Sequence, residues 1–234
     1  MKKTSLPVAF FGVLIALSLP IVCVYGNVLT GDETEKRAYL SGSVGGGKLS
    51  FVAAKNTNLK WDYGVWSAMG AGGWYYDAYD FFLRLGAEAF VMSGDCDKDY
   101  KSAAGSYHYE ASTQTLGIGV QFGIDYPITK WLIIRGDAAG GYFDCSVDET
   151  EKGNVVRGGK AQAYAYDGTV DGGSAYIRYG GGLEFLITEN LSFDLSAHRF
   201  TSGVTFDGKV PNGLGDRGFD IKGWMVMLGA NLSF

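Results

Sequence analysis

The chain has 234 residues and a net charge of −5, with 20 Lys and Arg against 25 Asp and Glu, and this acidic balance weighs against nucleic acid as a partner. Glycine (36 residues) and aromatics (15%) are abundant, proline is scarce (4) and mean hydropathy is +0.02. Beyond residue 26 no apolar stretch approaches the ~18 residues of a membrane helix, so helical spans are excluded there.

Lys2 and Lys3 precede an apolar run from Val8 to Leu19, which Pro20 breaks, and Val24-Tyr-Gly26 offers a small-residue cleavage site. This pattern predicts a secretory signal over residues 1–26, cut after Gly26. A retained anchor and a lipoprotein acylated at Cys23 are the alternatives, the second disfavoured by bulky Val22. Residues 27–37 then form a short periplasmic segment and residues 38–234 the main domain.

From there apolar residues recur at every second position, the period of a β-strand. Eight segments read this way: Tyr39–Gly47, Tyr63–Trp74, Phe81–Met92, Thr113–Tyr126, Trp131–Phe143, Ala175–Ile187, Leu191–Phe200 and Phe219–Phe234. Short connections at Tyr76–Tyr79, Pro127–Lys130 and Thr188–Asn190 alternate with long ones at Lys48–Asp62, Ser93–Ser112, Asp144–Ser174 and Thr201–Gly218. Alternating tight turns and extended loops are the mark of an antiparallel up-and-down barrel in an outer membrane, with both ends on the periplasmic side and four extracellular loops. The soluble alternative, a β-sandwich, lacks this loop asymmetry.

Charge sorts the faces, because Arg or Lys in lipid at mid-depth costs about 2–4 kcal/mol. Leu85, Ile118, Val120, Phe122, Ile134, Leu183 and Leu195 therefore face lipid. Arg84, Glu88, Gln121, Asp125, Arg135, Asp137, Arg178, Glu184, Asp194 and His198 face inward as a polar network. Eight strands enclose a space that side chains just fill, so the network predicts a plugged core, with a narrow gated ion path as the alternative. Aromatics beside the connections predict two belts: Trp74, Tyr75, Tyr76, Tyr79, Tyr126 and Phe234 at the inner rim, and Trp61, Tyr63, Tyr107, Tyr109, Tyr142 and Phe143 at the outer one.

The stretch Tyr179-Gly-Gly-Gly-Leu-Glu-Phe-Leu-Ile-Thr-Glu-Asn-Leu-Ser-Phe-Asp-Leu-Ser-Ala-His-Arg-Phe200 resembles the sixth strand, turn and seventh strand of small eight-stranded outer-membrane barrels. These include the opacity proteins and the transmembrane domain of OmpA. The end of the chain, Gly229-x-x-Leu232-x-Phe234, resembles the signal that the barrel-assembly machinery reads, with Met227 where that signal has a polar residue. The resemblance implies outer-membrane location and outer-membrane lipids as surroundings. It leaves activity open among surface adhesion, envelope structure, narrow channels of the OmpW type and lipid-modifying enzymes.

Cys96 and Cys145 lie in two predicted outer loops, and an oxidising periplasm makes a loop-to-loop disulfide the expectation, provided the loops lean together. The two histidines, His108 and His198, lack metal-ligand spacing, so neither a metal nor a cofactor is expected. His198 with Asp194 could serve acid–base chemistry, but His198-Arg-Phe-Thr-Ser departs from the His-x-Ser-Asn stretch of lipid A deacylases, and no enzyme is expected. The long Asp144–Ser174 loop, with Tyr164, Tyr166 and several acids, suits a host or environmental surface ligand. The reading is a structural or surface-interaction barrel. A narrow channel for small solutes, polar or hydrophobic, is the alternative, with inward Met225 and Met227 supporting the hydrophobic kind.

Overall fold

A computed structural model describes residues 37–53, 60–102, 105–157, 160–207 and 217–234. The signal region and the periplasmic segment up to residue 36 lie outside the described residues, as do parts of the first and last long connections.

Eight antiparallel strands close a barrel in sequence order: β1 (Arg37–Ala53), β2 (Lys60–Ala78), β3 (Phe81–Ser102), β4 (Gly105–Pro127), β5 (Leu132–Arg157), β6 (Lys160–Leu186), β7 (Leu191–Asp207) and β8 (Arg217–Ser233). The seam is β1 on β8, running from Tyr39↔Ser233 to Ala53↔Phe219. It ends where the Phe234 N–H donates to the Ala38 carbonyl at 2.9 Å. Closure removes the sheet edges that lipid could not solvate.

The strands outrun the expected segments. β3 and β4 pair as far as Ser102↔Gly105, and β5 and β6 as far as Arg157↔Lys160. Most of the two middle outer loops is therefore extended hairpin. β2 joins β3 only from Gly64↔Asp95, so the four strands β3 to β6 rise beyond their neighbours.

Side-chain placement explains this growth. On β4, Leu116, Ile118, Val120, Phe122, Ile124 and Tyr126 point outward and exposed. Ten rises of ~3.3 Å, tilted by ~40°, span about 25 Å, the height of a lipid-facing band. Above Leu116 the pattern inverts: Thr113, Ala111 and Tyr109 are buried inside, while Gln114 and Glu110 face out. β5 inverts after Tyr142, with Phe143, Cys145 and Val147 inside and Asp144 and Asp148 outside. The inverted stretch is a strand in water over its own apolar filling. Nothing in it breaks the ladder, so it keeps pairing.

The interior has two layers. Toward the turns it is polar. Toward the hairpins it is apolar and aromatic, built from residues such as Phe51, Tyr63, Phe90, Tyr109, Phe143 and Phe200. This corrects the outer aromatic belt: Tyr63, Tyr109 and Phe143 are buried inside the barrel rather than set against lipid. Tyr142 does face out, and the Tyr107 side chain lies outside the described residues. At the turn end Tyr79, Tyr126 and Phe234 are exposed at the rim. Glycines make room for the filling: a Cβ on Gly117 would lie 2.2 Å from the Phe90 ring.

Two of the turns are one motif. In Ile128-Thr-Lys-Trp-Leu132 and Ile187-Thr-Glu-Asn-Leu191, the first two N–H groups reach the Leu carbonyl. In each the Thr hydroxyl accepts from the last two N–H groups, at 3.2 and 3.1 Å for Thr129 and at 3.3 and 3.0 Å for Thr188. The β2–β3 turn is tighter than the sequence suggests, with pairing up to Ala78↔Phe81 and Tyr79 at a left-handed φ of 66°.

Candidate functional site

The inward charges expected from the sequence collect in two groups stacked along the barrel axis, while a further buried carboxylate, Glu149, lies apart on the hairpin side. The upper group centres on Arg178, which is 3% exposed. Its Nε and Nη2 donate to the two oxygens of Glu88 at 3.3 and 2.5 Å, and Nη1 donates to Asp137 at 2.7 Å. The Tyr176 hydroxyl, from the aromatic layer above, donates to Glu88 at 2.8 Å. Below, Arg135 faces Glu184 at 3.3 Å, Asp194 at 3.4 Å and Asp125 at 3.5 Å, and Arg84 faces Asp125 at 3.4 Å. The Asn231 amide donates to Asp194 at 3.1 Å and to Glu184 at 3.3 Å, and Ser192 also donates to Glu184. Gln121 donates to the Tyr39 hydroxyl at 2.5 Å, under the Arg84 guanidinium, which lies 5.7 Å over the Tyr39 ring. Adjacent strands thus bring all ten inward residues of the network into one column.

His198 lies in this column, and its chemistry is set by its neighbours. Arg178 Nη1 is 2.5 Å from Nδ1, and a guanidinium can only donate, so Nδ1 is an acceptor. Nε2 therefore carries the proton and donates to Ser196 Oγ at 2.9 Å, and Ser196 donates on to Asp194 at 3.4 Å. A general base needs its free nitrogen toward the nucleophile. Here the protonated nitrogen faces the serine, and Asp194 reaches the serine rather than the imidazole. The relay orients side chains and does not activate Ser196.

Two narrow spaces adjoin the column. Between the layers, Met69, Met92, Arg178, His198, Met225 and Met227 border a space of about 10 Å³, room for no more than a single water. At the turn end a cavity of about 160 Å³ opens onto Asp125, Glu184 and Asn231. The inward methionines Met225 and Met227 help to fill the lumen rather than line a passage.

The expected disulfide is not formed: Cys96 and Cys145 are both buried free thiols. Register gives the reason. Cys96 pairs with Ala111 and Cys145 with Thr115 on opposite sides of β4. Two strand spacings and four residues of offset separate their Cα atoms by roughly 15 Å, about twice a disulfide's reach. Cys145 instead shares hydrogen bonds with Thr113 at 3.3 Å and Thr115 at 3.4 Å.

Of the three residues that carry the resemblance to an assembly signal, Gly229 accommodates Asp194, whose carboxylate would lie 2.4 Å from a Cβ there. Leu232 and Phe234 are exposed on the outer wall at the turn end.

His108 stands apart, on the outward face of the β3–β4 hairpin. The pairs Asp99↔His108 and Asp97↔Glu110 place it among acids, with Nδ1 at 2.9 Å from Asp99 and Nε2 at 3.1 Å from Glu110 and 3.6 Å from Asp97. The hydrogen bond to Asp99, and then that to Glu110, raises its pKa above the ordinary histidine value. Spacing in the chain hides this cluster; it forms only through the cross-strand register. Asp97, His108 and Glu110 have ligand atoms within 4.8 Å of one another. Both ring nitrogens face carboxylates, however, an arrangement that favours an imidazolium over a metal-binding imidazole.

A closed eight-stranded barrel with an apolar girdle and a side-chain-filled lumen is the architecture of a small bacterial outer-membrane protein. No protein-family model and no curated protein matches the chain. Among solved structures it is similar to Neisserial surface protein A at 15% identity, covering 84% of this chain and 97% of that one with a TM-score of 0.46. It is also similar to OprG of Pseudomonas aeruginosa (11% identity, 87% and 98% covered, TM-score 0.38) and to Ail, the attachment invasion locus protein of Yersinia pestis (13%, 84% and 99%, 0.34).

Proposed function

We propose that this protein is a surface-interaction barrel: an inert, plugged transmembrane body that holds a raised sheet outside the membrane for contact with a host or environmental ligand. The observation that carries this reading is the continuation of β3 to β6 as a paired sheet well past the lipid-facing band, with its outward face polar. A rigid scaffold beneath exposed, variable segments is a common arrangement for recognition. Export by a cleaved signal over residues 1–26, and insertion by the barrel-assembly machinery through the Gly229–Phe234 end, complete the proposal.

The register supplies a clean test. Thr150 pairs directly with Asp167, so residues 151–166 can be replaced by a two-residue hairpin turn without shifting any pair below. The shortened barrel is expected to keep its heat-modifiable gel mobility and to lose adhesion of expressing cells to the surface that wild type binds. Equal adhesion by both would refute a binding role for this hairpin.

A further inference from the structure

The outer wall carries an asymmetry at the hairpin-side edge of its apolar band. Above the lipid-facing band on each strand, the first charged outward residue is acidic on five contiguous strands: Asp62, Asp95, Glu110, Asp144 and Asp171 on β2 to β6. It is basic on the other three: Arg199 on β7, Lys222 on β8 and Lys48 on β1.

Within that basic sector the register is tight. Trp224 pairs with Arg199 on one side and with Lys48 on the other, so the three side chains form one row. The Cα atoms of the two cations are then ~10 Å apart, two strand spacings. The Arg199 guanidinium leans over the Trp224 ring at 5.6 Å, toward Lys48. Neither Arg199 nor Lys48 has a carboxylate in ion-pair range among the described residues, whereas Lys222 is answered by Asp220 at 3.3 Å. Trp224 is 54% exposed and sits where an interfacial indole is expected.

From this geometry we infer that Lys48, Arg199 and Trp224 bind the phosphomonoester headgroup of an outer-leaflet lipid. The two unanswered charges match the ≈ −1.5 to −2 of a phosphomonoester at neutral pH. The guanidinium and ammonium supply the donors, and the indole and the wall below it receive the lipid's apolar portion. The site is independent of the raised sheet.

The test uses the folded barrel in phosphatidylcholine nanodiscs doped with phosphatidic acid, with phosphatidylglycerol, or with inorganic phosphate in the buffer. Native mass spectrometry reads retained lipid, and the unfolding midpoint reads stabilisation. Phosphatidic acid is expected to be retained and to stabilise, more than the diester lipid. The Lys48→Ser/Arg199→Ser variant should weaken retention roughly thirtyfold, from two basic side chains near a membrane surface. Lys48→Arg should keep binding, and Lys130→Ser, which removes a cation at the opposite rim, should behave as wild type. Equal retention of monoester and diester, or wild-type retention by the double variant, would overturn the site. Stabilisation by inorganic phosphate alone would overturn its assignment to a lipid.

Discussion

Arg178 shows how much one interior residue can hold. It is clamped by Glu88, which is fully buried, and Asp137, which is mostly so, and it answers both carboxylates across the lumen. Replacing it with Met leaves those charges unpaired, which costs about 3–5 kcal/mol. Urea unfolding in lipid vesicles is expected to show that loss for Arg178→Met, with part recovered when Glu88→Gln is added. Equal stabilities of wild type and single variant would mean that the column is hydrated and not load-sharing. His108 makes a different case, exposed and paired with acids. Its pKa is raised by Asp99 first, then Glu110. The sign follows: its stabilising contribution is complete below the unfolded value of about 6.5 and disappears as pH rises through the higher folded value. An NMR titration is expected to place His108 above the ordinary histidine range in wild type and to bring it down in Asp99→Asn. The inward positions of these charges are legible one strand at a time, because alternation and the cost of charge in lipid decide them. Their partners are not, because Arg178 meets Glu88 only after closure brings β3 opposite β6.

At the scale of elements, the turns and the hairpins differ in what the sequence discloses. The two Ile-Thr-x-x-Leu turns stand out in the chain, since a Thr in second place can satisfy two N–H groups that the turn leaves over. Thr129→Val and Thr188→Val are each expected to lower stability by about 1 kcal/mol, and to add, since they sit in separate turns. Chemical unfolding of the single and double variants checks both statements, and a neutral Thr129→Val would show that water replaces the hydroxyl. The hairpins are harder to read, because alternation continues while its meaning reverses. Asp144-Cys-Ser-Val-Asp148 is polar outside and apolar inside, the opposite of the strand below it. Taken for a loop, it suggested cysteines free to meet. As paired strands, β3 and β5 hold Cys96 and Cys145 apart by their register with β4. The position at which the hydrophobic phase flips is itself readable, and it marks where the strand leaves lipid.

For the whole molecule, the decisive fact is that two unlike seals lie in series along one axis. The aromatic layer, in which the Phe200 ring packs against Phe90 at 5.9 Å, Phe143 at 5.7 Å and Tyr176 at 5.5 Å, opposes ions by desolvation. The polar column below opposes apolar solutes and is itself filled, with Arg178 held across the lumen between β3 and β5. A conduit for ions would have to pass the packed Phe90, Phe143, Tyr176 and Phe200 rings, and one for hydrophobic solutes would need an apolar lower half. Each layer closes the path that the other leaves open, and the space between them is about 10 Å³. The intact barrel is therefore expected to give no ion conductance in planar bilayers and no solute uptake in liposome swelling. Phe200→Ala should leave both at zero, because the Arg178 layer remains, and Arg178→Ala should do so as well, because the aromatic layer remains. Only the combination removes material from both seals, and it alone should admit small ions. Steady conductance from wild type, or from either single variant, would show that the side-chain column moves aside as a gate and that the barrel is a channel after all.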